Sequence, residues 1–221
     1  MRQCALTWLR ASAMVTLVGV VALQGPGHVG AAPGATVTIT VTAVAANGEP
    51  VNGYQVANRQ GSPNLSGCLS PSPAAVGGDI YSCEPAQAAA EVCWPAPASV
   101  LCLMDPWSKA LRRFAAPGAL PAVDPPATPM PFALLLDDGT RCILPNGIDW
   151  GARADDMVPA YGCNPGKTSV GVLIAPGDDP VSAIDRSLPV WVVRVGELGP
   201  RDTPFESPRR HAVTTVWFAG N

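Results

Sequence analysis

The stretch Thr36-Val37-Thr38-Ile39-Thr40-Val41-Thr42 is a strict alternation of β-branched residues. Alternation with period two sends successive side chains to opposite faces of a strand. The segment therefore predicts a half-buried β-strand with Val37, Ile39 and Val41 turned to a core. Downstream, Asn47-Gly48 is a turn dipeptide, after which residues 51–56 can return as that strand's partner.

Shorter signals of the same kind fill the rest of the chain. Residues 61–78 are rich in Ser, Pro, Gly and Asn and read as a loop held through Cys68. Apolar runs at 80–83, 91–94 and 100–103 read as short strands, each carrying cysteine. Residues 85–92 favour a short helix, since proline fits its first position and Gln87-Ala88-Ala89-Ala90 propagates it. Asp105-Pro106-Trp107-Ser108 is a turn or an N-cap. Residues 117–131 hold six prolines in fifteen positions and must run extended. This stretch is either a stiff connection between subdomains or a surface crossover within one domain.

Beyond it, apolar runs at 132–136 and 141–144 flank Asp137-Asp138-Gly139-Thr140, a strong hairpin signal. Residues 169–174, 190–195 and 213–218 read as three more strands. The expected fold is mostly β with little helix, a disulfide-stapled antiparallel sandwich or barrel in one domain or two small subdomains. Its segments are 32–116 with four cysteines, the proline-rich 117–131, and 132–221 with two.

Residues 1–31 have the pattern of a cleavable export signal. Arg2 and Arg10 supply positive charge, and the apolar run 11–23 falls short of the roughly 20 residues a spanning helix needs. Val29-Gly30-Ala31 offers small residues at −3 and −1, placing the cut before Ala32. Cys4 precedes the apolar run, which excludes a lipid-anchored cysteine after it. Past the cut lie Cys68, Cys83, Cys93, Cys102, Cys142 and Cys163, an even set that implies disulfides in an exported chain. Pairing of sequence neighbours is favoured, Cys68–Cys83, Cys93–Cys102 and Cys142–Cys163, because each pair brackets a turn or loop.

Charge and composition exclude several functions. Removing Arg2 and Arg10 from the 14 basic residues leaves 12 against 17 acidic ones, a net charge of −5. With no basic run, nucleic acid is not an expected partner. No second apolar segment reaches spanning length, so no membrane span is expected in the mature chain. Nothing in the sequence calls for a cofactor or a metal.

Chemistry-bearing residues are few. His211 is the one histidine after residue 31; beside Arg209-Arg210 it reads as a solvated strand-start residue, with no Gly-x-Ser-x-Gly context for a triad. Asp137-Asp138 and Asp178-Asp179 sit beside turn glycines or prolines, where aspartate bonds its own backbone. The most distinctive stretch is the loop from Cys142 to Cys163, with Asp149, Trp150, Arg153, Asp155, Asp156 and Tyr161. Its candidate binding residues are Trp150, Arg153, Asp155 and Tyr161, an apolar platform with polar contacts. The competing reading makes Trp150 and Tyr161 core plugs and pairs Arg153 locally.

Cys93-Trp94-Pro95, Leu101-Cys102 with Asp105-Pro106-Trp107, Leu136-Asp137-Asp138-Gly139-Thr140-Arg141-Cys142, Asn146-Gly147 with Trp150-Gly151, and Val213 to Gly220 together resemble a group of small exported actinobacterial proteins of mycobacterial type. The resemblance covers about residues 80–221. It implies a secreted or envelope location and assigns no activity or catalytic residue. The expected function is an exported, soluble, non-catalytic binding or interaction module whose partner is an envelope polymer or protein. The alternatives are a hydrolase of envelope polymers using carboxylates in the 149–156 region and a structural envelope component. N-terminal sequencing of exported material should read from Ala32; an intact Met1 on membrane-bound material contradicts this.

Overall fold

The computed structural model describes residues 34–57, 64–116, 118–144, 151–164 and 170–221. The expected export signal lies outside them. Among these residues seven strands precede the proline-rich stretch: β1 Val37–Val41, β2 Gln55–Val56, β3 Gly67–Pro71, β4 Tyr81–Glu84, β5 Cys93–Ala96, β6 Ser99–Leu103 and β7 Ala110–Ala115. Seven follow: β8 Ala133–Leu136, β9 Arg141–Ile143, β10 Val158–Cys163, β11 Val170–Ile174, β12 Ile184–Asp185, β13 Trp191–Glu197 and β14 Arg209–Ala219.

Strands β8, β9, β10, β11, β13 and β14 form a ring of antiparallel pairs that β13–β14 closes, a six-stranded barrel. Cross-strand register identifies its interior. Leu136 faces Val213, Leu134 faces Cys142, Cys142 faces Cys163, Tyr161 faces Val172, and Val172 faces Val195. Directly opposed residues share a face, and Leu134, Leu136, Cys142, Tyr161, Cys163, Val172, Val193 and Val213 are all buried. The barrel is filled by side chains. Its β8–β9 turn is the expected hairpin, with Gly139 at φ 83° and the Thr140 N–H donating to Asp138 Oδ1 at 2.8 Å.

The second sheet runs β2-β7-β6-β5-β4-β3 and packs against the outside of the barrel. Its strand β6 is buried on both faces. Leu101 and Leu103 join one apolar cluster with Ala133 and Ile143, while Val100 and Cys102 join another with Tyr81 and Phe114. Trp94 donates from Nε1 to the Gly220 carbonyl at 3.0 Å, and Trp107 meets Trp217 edge to face with centroids 5.5 Å apart. The proline-rich stretch straps the far face of this sheet. Val123 exchanges bonds with Asp79, the Tyr81 hydroxyl donates to the Pro121 carbonyl at 2.8 Å, and Leu120 and Val123 pack on the second cluster.

All three disulfides join the expected neighbours, Cys68–Cys83, Cys93–Cys102 and Cys142–Cys163. Each links adjacent antiparallel strands, β3–β4, β5–β6 and β9–β10. Three intramolecular disulfides indicate an oxidising setting outside the cytosol. No helix among the described residues is long and apolar enough to cross a membrane.

Several expectations need correction. Strand β1 forms where the alternation places it, yet Val37 is 54% and Ile39 38% exposed; only Val41 is buried. The reason is position: β1 is an edge strand, paired in parallel with the end of β14 beyond the point where β13 leaves it. Residues 51–56 do not return to β1; one bridge, Val44 to Pro50, closes the Asn47-Gly48 turn, and Gln55–Val56 pairs with β7 instead. Part of the expected 61–78 loop is strand β3. The expected helix at 85–92 shrinks to a single 3₁₀ turn, Ala86–Ala88, because Ala89 turns to φ 53° and Cys83 N–H bonds Ala90. Strands β7, β10 and β12 carry no clear alternation, β7 because Arg112 and Arg113 interrupt its apolar residues.

Removing the barrel disulfide with Cys142→Ala and Cys163→Ala together should lower unfolding free energy by about 3 kcal/mol on the chain-entropy estimate. Denaturant titration of the double variant against the parent measures it.

Candidate functional site

Of the candidate residues in the loop between Cys142 and Cys163 that are described, Arg153 and Asp155 meet, while Tyr161 lies apart from them inside the barrel. Trp150 and Asp149 lie outside the described residues. Tyr161 points into the barrel, fully buried, with its hydroxyl donating to the Pro131 carbonyl at 3.0 Å; burial pushes that phenol far above its ordinary range. Arg153 is buried to 1% exposure beneath the 198–208 segment, whereas Asp155 is 46% exposed. Among the described members of the set, Asp155 alone reaches solvent.

Arg153 has a mechanical role. Its Nε and Nη2 bind the Asp155 carboxylate at 2.9 Å each, Nη1 donates to the Glu197 carbonyl at 2.7 Å, and Nη2 to the Glu206 carbonyl at 2.9 Å. The guanidinium also lies 5.4 Å from the Phe205 ring centre. A planar five-donor fork can hold a carboxylate and two separate carbonyls at once. One side chain therefore ties the β9–β10 loop to the end of β13 and to the segment before β14. Backbone pairing of Ala152 with Gly199 runs alongside it, at 2.6 and 2.9 Å. Gly151, at φ 82°, sits so close to Gly199 that a Cβ would lie 2.9 Å from its backbone. The hydrogen bond from Arg153 leads the causes that hold the Asp155 carboxyl below its usual range.

The two carbonyls that Arg153 holds belong to residues at the open end of the barrel. There Val170, Val195, Glu197, Glu206, Arg209 and His211 line a concavity of about 420 Å³, with Ser207 and Gly196. The register explains the lining. Val195 faces Arg209 and Val170 faces Glu197, and on the same interior face Val193 lies opposite His211. The interior thus passes from valine in the packed centre to charged side chains at its mouth. Glu206 and Arg209 form an exposed ion pair at 2.8 Å, which fixes charge position more than it stabilises.

His211 sits at the rim, with Nδ1 at 3.2 Å from Asp137 Oδ1 and 3.6 Å from Asp138 Oδ2. In the tautomer with its proton on Nδ1, His211 donates this bond to Asp137. Partial burial of Asp138 opposes ionisation, but hydrogen bonds at Thr140 and the His211 charge outweigh it and hold this carboxyl below its usual range. Asp137, Asp138 and His211 bring one ligand atom each within 4.8 Å of one another, so they are the described residues that could hold a divalent cation. Among the described residues no hydroxyl or thiol is hydrogen-bonded to His211. The other acidic turn behaves as a cap: Asp179 Oδ1 accepts from Val181 N–H at 2.9 Å.

Sequence reasoning missed this mouth. Asp137 and His211 are 74 positions apart, and their meeting follows only from β8 and β14 being neighbours. A signal existed in the odd positions of β14, Arg209, His211 and Val213, which pass from charged to apolar along one face. A scan of protein-family models finds no match to this chain, and searches of curated proteins and of solved structures find none either.

Arg153→Ala should cost about 3 kcal/mol, because it leaves two carbonyls under the 198–208 segment without a donor. Arg153→Lys should restore little, one ammonium being unable to span the three acceptors. Because Asp155 is held low, its contribution is present above the ordinary carboxylate range and disappears as pH falls through the lowered value. Asp155→Asn should therefore be less stable than the parent at neutral pH and equal to it in strong acid. Thermal melts at both pH values check this.

Proposed function

We propose that the chain is an exported, soluble, non-catalytic binding module, and that its ligand sits in the barrel mouth between Glu197, Glu206, Arg209 and His211. The observation that carries this reading is a packed barrel whose concavity is polar, open and walled by segments that Arg153 clamps in place. Pre-set walls lower the ordering cost of binding, which is how a rigid scaffold raises affinity. Charges of both signs around a space of about 420 Å³ suit a small polar group bearing both signs itself, or the polar end of an envelope polymer. The resemblance to small exported actinobacterial proteins supports the same location.

The competing reading, a hydrolase of envelope polymers using carboxylates at 149–156, meets a chemical difficulty. A general acid needs a raised pKa, so Asp155, bound by Arg153 and held ionised, does not fit that role and could serve only as the ionised partner of a pair. The third reading, a structural envelope component, needs neither an open mouth nor a clamped rim.

Glycan-array and cell-wall pulldown assays should detect binding without turnover. Arg209→Ala and His211→Gln should each weaken it at least roughly tenfold, the equivalent of about 1.4 kcal/mol, with little change in thermal midpoint because both lie at the rim. Hydrolysis of an envelope polymer that is lost in Asp155→Asn contradicts the proposal. Binding that survives both mouth variants places the site elsewhere.

A further inference from the structure

The stretch 36–42 is written for burial and is not buried. Val37 and Ile39 project from β1 at 54% and 38% exposure, beside the half-buried Trp217 that faces Ile39 in the parallel pair. Strand β1 ends the sheet order, so among the described residues no strand pairs with its outer edge. Gly220 N–H donates to the Val41 carbonyl at 2.9 Å, so the backbone groups of Val37, Ile39 and Val41 face β14. Those of Thr38 and Thr40 consequently face the open edge. Natural edge strands are blunted by lysine, proline, a bulge or a cover. Strand β1 has neither lysine nor proline, and its register with β14 is unbroken.

The sequence of this edge identifies what fits it. Thr-Val-Thr-Ile-Thr-Val-Thr reads identically in both directions about Ile39. A two-fold axis brings the same surface patch of two copies together in opposite directions. We propose that a second copy of this chain docks here, β1 against β1 antiparallel, with Ile39 on the axis. The geometry is consistent at every position. Thr38 of one copy opposes Thr40 of the other, and both aim their backbone groups across the edge, giving four N–H···O bonds for the pair. Ile39 then opposes Ile39 as a non-hydrogen-bonded pair, the closer kind, with Cα atoms about 4.5 Å apart. Val37 opposes Val41, which extends the apolar row over the exposed valine. Asn52 Nδ2 already donates to the Thr42 carbonyl and Thr36 N–H to the Pro189 carbonyl, so the open edge is limited to the centre of the palindrome. A five-residue seam is small beside stable interfaces of about 1,200 Å² or more. The dimer is accordingly weak and concentration-dependent. It is independent of the barrel mouth, which lies elsewhere on β14.

Sedimentation equilibrium of the oxidised chain should show reversible monomer–dimer exchange. Ile39→Lys sets two like charges across the axis, and Thr40→Pro removes the N–H of two of the four bonds. Each should raise the dimer dissociation constant at least roughly tenfold. Ile39→Lys also loses the partial cover of Ile39 beside Trp217, so thermal melts at a concentration where the chain is monomeric separate that loss from the loss of pairing. Ile39→Cys should cross-link to itself in mild oxidant with the native disulfides intact, while Leu188→Cys, at a 65% exposed position, should not. A chain monomeric at every concentration overturns the proposal. So does self-association that both edge variants leave undiminished, or equal cross-linking at the two cysteine positions. A monomer that instead takes up a free T-V-T-I-T-V-T peptide assigns the edge to strand addition and likewise overturns the second copy.

Discussion

The pairing of β13 with β14 is the contact on which the architecture depends. Strand β14 has eleven residues and meets three neighbours: β13 along its first part, β8 through its middle and β1 along its last part. Closure by β13 turns an open ladder into a barrel and seals Val193 and Val213 against Leu136. A register shift between Val213 and Thr215 marks where β14 leaves the purely barrel region for the part that the second sheet covers. At that junction the Thr36 hydroxyl accepts from Trp191 N–H at 2.8 Å and donates to the Val213 carbonyl at 2.7 Å. One side chain thus bridges the ladder where β13 departs and β1 takes over. Extending β14 beyond the barrel also lets Trp217 and Gly220 anchor Trp107 and Trp94 of the second sheet.

Closure has a consequence for the mouth. A packed barrel of six strands has little room inside, so any concavity must form where the strands end and their turns splay. Glu197, Arg209 and His211 lie by register on the interior face, at positions continuous with the buried valines. Their walls come from segments that the strands do not hold, and Arg153 supplies the missing connection from outside the barrel. A buried guanidinium is costly to desolvate, and this one is retained with its hydrogen bonds on two backbone carbonyls and a single carboxylate. That arrangement specifies the position of a loop, which an apolar side chain of similar volume could not do.

Legibility in the sequence followed the range of the interactions involved. The hairpin around Asp137-Asp138-Gly139-Thr140, the later strands and the three disulfides all depend on residues close in sequence, and each was readable. Tyr161 was ambiguous between platform and plug because aromatic type does not encode which face of a strand it occupies; only the Val172 register places it inside. Arg153 was ambiguous between recognition and local pairing; its partner Asp155 is two positions away and was legible, whereas its carbonyl partners belong to Glu197 and Glu206 and backbone groups leave no mark on composition. The His211–Asp137 contact was invisible for want of a known neighbour for β14. The proline-rich stretch read equally as linker or strap, and Tyr81 and Asp79, far from it in sequence, make it a strap.

The misreading of residues 36–42 is of another kind, because its pattern was read correctly and its environment was not. Period-two alternation states that one face of a strand requires apolar cover. It contains no term for which chain supplies that cover. Within a single chain the requirement is met for Val41 by the second sheet, and it lapses at Ile39 and Val37 as β1 runs away from that sheet toward Thr36. Selection for a merely solvated edge would favour a lysine or a proline there, as exposed edges elsewhere in proteins do. An apolar alternation that continues past the cover the described residues supply, and that is symmetric about its own centre, is the pattern that the proposed second copy would complete.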